Sequence, residues 1–195
     1  MFLQQRWLYS WVAVPPATPW TINEQSNFHK RADQNIWSAW SNRAKLSVSG
    51  SSPFALGFAK SGLPINLDIR RVSAGQHWTV FVTKVPPGAF AVSSVQWKAR
   101  RINLDTNDFV TRNICSAPPK ALCTSQIPVA HEFGHAAGNT AVLARGDEYR
   151  STSPHAGDQA SIMHSGSQLR ARHFRTILDE MNTMIPGATF AVLSV

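Results

Sequence analysis

The chain has 195 residues, 43% of them hydrophobic and 15% charged, which is enough to bury the core of one domain and too apolar for a disordered chain. No apolar run approaches the length needed to cross a bilayer, so a transmembrane segment is not expected. The net charge of +8 favours polyanions or an anionic cell envelope. The basic groups Arg70–Arg71, Lys98–Arg101 and Arg170–Arg175 are short and not interleaved with aromatics, so no specific nucleic-acid site is expected.

Residues 1–20 open with an apolar cluster, Trp7, Leu8, Tyr9, Trp11 and Val12, broken by Ser10 and followed by Pro15 and Pro16. This reads as an N-terminal strand or arm in preference to a signal peptide. Residues 21–44 form the first long helix: Thr21 and Glu24 make a capping box, and Phe28, Ala32, Ile36, Trp37 and Trp40 recur at helical spacing as core. From 45 to 113 the apolar period changes to two. Leu46 and Val48, Ile65 to Ile69, Trp78 to Val82, and Phe90 to Trp97 lie in runs separated by turn residues, which predicts four or five mainly antiparallel strands.

Cys115 and Cys123 bracket a loop, Ser116 to Leu122, that carries Pro118 and Pro119. This spacing allows a small disulfide staple in an oxidising compartment; two reduced thiols are the alternative. Residues 128–185 follow as the region that carries chemistry. A helix runs from Val129 to Ala137, opened by Pro128 and closed by Gly138 and Asn139. A loop from Thr140 to Gly166 leads to a second helix, Arg172 to Ile185, and a last strand near Thr189 to Leu193. The whole chain, 1–195, is expected to be a single α+β domain, a long helix backing a twisted sheet with the active-site helix below it.

Within that region His131, Glu132, Phe133, Gly134 and His135 follow one another. Residues four apart on a helix share a face, so both imidazoles can point at one metal ion while Glu132 stands beside the position where water binds. Zinc suits two imidazoles and a carboxylate, although cobalt or nickel can occupy such a site. It acidifies water and polarises a carbonyl, and Glu132, as general base, takes the proton and returns it to the leaving amine.

The segment resembles the zincin metallopeptidases, and Gly138 extends the likeness to the metzincin pattern HExxHxxG. That pattern puts a third ligand three residues after the glycine, where this chain has Ala141, which cannot bind metal. The run Gly146, Asp147, Glu148, Tyr149 looks like the displaced piece, with Asn139 to Arg145 as extra loop. Glu148 is favoured as third ligand for its reach; Asp147 is the alternative, otherwise orienting a ligand histidine. Ser161, Ile162 and Met163 resemble the methionine turn that floors such a site, a plain core methionine being the other reading. His155 and His164 are reserve ligands or oxyanion donors, and Tyr149 is a candidate to stabilise a tetrahedral intermediate.

The zincin helix, the Asp147–Glu148–Tyr149 turn, the Ser161–Ile162–Met163 turn and the closing helix, with a tryptophan-rich first helix and small sheet before them, also resemble metallopeptidase domains attached to bacterial type VI secretion effectors. That likeness implies an antibacterial toxin with a secretion-spike carrier and an immunity protein, secreted to act in the periplasm of a target cell; separately, a monomer is expected. Its substrate would be a protein or peptide-containing polymer, laid along an edge strand near Asp108 to Arg112. The rival function is a zinc-stabilised, non-catalytic binding module for an anionic envelope component.

Overall fold

A computed structural model describes residues 1–115 and 123–195. Of the two expected forms, strand or arm, the first apolar segment takes the strand. It forms the strand β1 (Phe2–Ala13), followed by α1 (Ile22–Trp40), β2 (Ala44–Ser49), α2 (Pro53–Phe58), β3 (Leu63–Arg71) and β4 (Trp78–Lys84). Then come β5 (Ser94–Gln96), β6 (Arg101–Asp105), β7 (Arg112–Cys115), β8 (Cys123–Gln126), α3 (Pro128–Ala136), α4 (Arg175–Met184) and β9 (Thr189–Ser194). The Thr21–Glu24 capping box is present and opens α1, although the helix stops at Trp40, short of the expected 44. The turn Ala171–Phe174 is a 3-10 helix, so the last α-helix begins at Arg175 and not at Arg172.

Seven strands form one mixed sheet in the order β5-β6-β4-β1-β3-β2-β9, beside a separate ribbon of β7 and β8. Among the described ladders four are antiparallel and three parallel, and the parallel ones hold the centre. The cause is β1. Its first half pairs with β3, from Phe2 opposite Asn66 to Trp7 opposite Arg71, and its second half with β4, from Trp7 opposite Trp78 to Ala13 opposite Lys84. The chain between β3 and β4 is therefore no hairpin turn. It passes from one side of β1 to the other, fixed by Val72 N–H to Trp7 O at 3.0 Å and His77 N–H to Arg6 O at 2.8 Å. Alternating apolar residues tell which residues share a face of a strand, but not which strand lies alongside.

Helices α1 and α3 lie against the face carrying Gln5 and Trp7 of β1. Gln5 Nε2 donates to Ala136 O of α3, and Phe28 of α1 meets the rings of Tyr9 and Trp11. Phe28, Ala32, Ile36 and Trp40 are buried there, as expected, whereas Trp37 is 41% exposed and belongs to the rim. Buried Trp40 donates its Nε1 to Ala130 O at 2.9 Å, tying α1 to the helix that carries the histidines. Phe90 and Val92, expected in a strand, lie in an exposed loop before the short β5.

Cys115 and Cys123 face each other across the ribbon and are disulfide-bonded. The prolines of the enclosed loop lie outside the described residues. No helix among the described residues is long and apolar enough to cross a membrane.

Candidate metal centre

Pro128 at the first helical position starts α3, and Gly138, with φ of +103°, ends that segment in a conformation that favours glycine. A Cβ on Gly138 would also run into the side chain of Thr176. Between these limits His131 and His135 sit one turn apart, their Nε2 atoms 3.1 Å from each other. Each ring is turned by its other nitrogen. His131 Nδ1 lies 2.7 Å from Ile162 O, and His135 Nδ1 is bonded to Asn139 O. A carbonyl only accepts, so both Nδ1 atoms carry the proton and both Nε2 atoms offer a lone pair to the same point.

A third acceptor meets them there. Asp147 Oδ1 is 3.0 Å from His135 Nε2 and 3.3 Å from His131 Nε2. A tetrahedral zinc ion with bonds of about 2.0–2.1 Å sets its ligand atoms roughly 3.3 Å apart, so the three residues fit one. Three acceptors with no donor among them repel unless a cation lies between. The ionisation of the two partners points the same way. Burial alone would raise the Asp147 carboxyl, yet the imidazoles hold it well below the usual carboxylate range; burial would lower His135, yet Asp147 and Glu132 raise it. Positive charge is favoured at the point of convergence, whether a proton or a metal ion supplies it.

Glu148, favoured in the sequence as third ligand, does not lie at this point. Its carboxylate accepts from Arg172 Nε at 2.6 Å and from Arg172 Nη2 at 2.8 Å, and its backbone N–H donates to Met163 O. The two neighbours thus face different partners, Asp147 the histidines and Glu148 Arg172. The longer reach of Glu148 is used on the other side of the chain. The loop Asn139 to Arg145, read as an insertion, contains a 3-10 turn, Ala141–Leu143, and brings the chain back to place Asp147.

Met163 is buried against Gly134 of α3, an arrangement that a floor under the histidines and a plain core methionine share. A Cβ on Gly134 would run into Met163 Sδ and lie 2.9 Å from Trp40 Cζ2. Alanine is the better helix former by about 1 kcal/mol, but overpacking costs about 1–3 kcal/mol, and Trp40 is pinned by its hydrogen bond. Gly134→Ala is therefore expected to lower the melting temperature by about 2–4 °C in a thermal scan.

Two residues that pattern reading missed complete the support. Gln126, at the end of β8, is buried and donates its Nε2 to the carbonyls of Ile162 and His164, each at 3.0 Å, beside His131 Nδ1. Asn139 donates its Nδ2 to Gly134 O and His173 O while its own carbonyl holds His135. Asn139 was legible only as a helix stop, and Gln126 gave no signal. His164 is spent on Ser165 and Ala156 O, and exposed His155 lies outside the His131, His135 and Asp147 group.

Glu132 is buried, and its Oε2 has no hydrogen-bond partner among the described residues. Burial raises its pKa against the opposing pull of the two histidines. A cleft of about 330 Å³ exposes Glu132, both histidines and Asp147. Ser94 and Val95 of the sheet-edge strand β5 line it, and so does Tyr149. Partial burial and the Asp147 carboxylate push the Tyr149 phenol up to about 12, so it remains a donor at neutral pH. The expected edge segment at Asp108 to Arg112 is a turn that buries Asp108 and Phe109, exposes Val110 and enters the exposed strand β7 of the separate ribbon at Arg112. Compared with family models, with curated proteins and with solved structures, the chain gives no match.

Proposed function

We propose that the protein is a zinc-dependent hydrolase of peptide bonds, with His131, His135 and Asp147 as the metal ligands and Glu132 as general base. The observation that carries this reading is the pairing of a three-ligand cluster with a buried, unpartnered Glu132 carboxylate oxygen in the same cleft. A fold that needed metal only as a staple has no use for such a carboxylate, whose burial without a partner is unfavourable.

Zinc held by these residues would supply Lewis-acid polarisation of a carbonyl and acidify water toward neutral pH. Glu132 Oε2 takes the proton of the attacking water and delivers it to the nitrogen of the broken bond. The pKa raised by burial makes Glu132 the stronger base for that transfer. The Tyr149 hydroxyl lines the same cleft as a donor for the oxyanion. β5 lies at the edge of the sheet, where its free backbone groups can pair with an extended peptide.

The disulfide supports work in an oxidising compartment, as a toxin acting in a periplasm requires. Incubating the zinc-loaded protein with a mixed peptide library tests the reading by mass spectrometry. New peptide ends are expected, abolished by a chelator and restored by added zinc. A library left intact by protein of full zinc content would sink it.

A further inference from the structure

A second cleft, of about 490 Å³, adjoins the first: Ala141, Gly146, Asp147 and Arg150 line both. Its other walls bring together Arg145, Arg172 and Arg175. Four guanidinium groups therefore surround one opening beside the metal ligands, against the carboxylates of Asp147 and Glu148.

These arginines are not equally committed. Arg172 is held by Glu148 and by Asp158, with N–O distances of 2.6 Å to each, and is structural. Arg145 reaches only the exposed Asp179 at 3.7 Å and Thr176 Oγ1 at 2.9 Å, and its buried Nε has no partner among the described residues. Arg150 stands 3.6 Å from Asp147 Oδ2 with its side chain 64% exposed. Arg175 is exposed and has no acidic partner among the described residues. Three cations with spare donors on one opening repel each other, and an anion relieves that repulsion. A guanidinium presents paired N–H groups that match a carboxylate.

We propose that this cleft is the subsite for a carboxylate of the substrate, either an acidic side chain or a free C-terminal carboxyl near the scissile bond. Arg145, Arg150 and Arg175 hold it. The inference rests on the reading of the adjoining site as a peptide hydrolase and names the substrates that site prefers.

The test reads binding, so it does not depend on turnover. The zinc-loaded Glu132→Gln protein is titrated calorimetrically with four peptides of one sequence, acetyl-Ala-Xaa-Ala-Ala, where Xaa is Glu or Gln and the end is acid or amide. Peptides with a carboxylate are expected to bind about tenfold or more tightly than the neutral one. The preference should shrink with added salt and fall to within about twofold in a background that also carries Arg145→Gln and Arg175→Gln. Whether Glu-amide or Gln-acid binds better identifies the carboxylate used. Equal affinity for all four, no measurable binding by any, or a preference that survives both arginine substitutions overturns the inference. Failure of the wild-type protein to cut any peptide would instead strike the hydrolase reading, which the titration does not use.

Discussion

Glu132→Gln is expected to reduce peptide hydrolysis by roughly 10²- to 10⁴-fold, the range that general acid–base catalysis supplies. Zinc content should be unchanged. The substitution keeps the volume of the side chain and leaves His131, His135 and Asp147 in place, but the amide can neither accept the proton of water nor return it to a leaving nitrogen. A second consequence follows from the burial of this carboxylate. Glu132 Oε2 is buried without a partner, so its charge burdens the folded state. The glutamine variant should melt at the wild-type temperature or above it, as expected when a residue is kept for chemistry at a cost to stability. A variant that hydrolyses the peptide library at the wild-type rate would show that Glu132 is not the base.

The second large effect concerns two neighbouring carboxylates. Asp147→Ala should weaken zinc binding by more than about a hundredfold, beyond what loss of an outer partner of a ligand costs. Glu148→Gln should leave zinc affinity within about tenfold of wild type, since its carboxylate is 2.6 Å from Arg172 and does not face the cluster. Its effect should fall on stability in acid. Burial alone would raise the Glu148 carboxyl, but the bonds from Arg172 and His173 hold it well below the usual carboxylate range. A depressed carboxyl stabilises the fold above its unfolded pKa, near 4.3, and that contribution is lost as pH falls through the lower folded value. The wild-type protein should therefore lose stability progressively below about pH 4, and Glu148→Gln should flatten that slope. Zinc titration of both variants, with melting curves from pH 2 to 7, reads both effects.

Sequence patterns carried the parts of this molecule that depend on local spacing. His131, Glu132 and His135 lie on one helix, and no other local structure would put the two rings on a common point. The Thr21–Glu24 box and the residues Phe28, Ala32, Ile36 and Trp40 were legible for the same reason, because a helix closes its contacts within a few residues. Trp37 fits the apolar composition but sits off the buried stripe.

What could not be read was set by contacts distant in sequence. The parallel centre of the sheet depends on β1 lying between β3 and β4, a choice that strand alternation leaves open. Glu148 is drawn away from the histidines by Arg172, 24 residues beyond it. Reach alone favoured the longer side chain, and a cation elsewhere in the fold claimed it. Gln126 supports His131 through a turn 36 residues away, so no motif announces it. The cleft wall at Ser94 and Val95 likewise comes from a strand far from the histidines in sequence.

The central claim is tested most directly by anomalous diffraction at the zinc edge from zinc-loaded crystals. A single strong peak is expected within bonding distance of His131 Nε2, His135 Nε2 and Asp147 Oδ1, with a solvent oxygen between the metal and Glu132. Absence of a peak at the histidines, or a peak bonded to Glu148 with Asp147 turned away, would contradict the account.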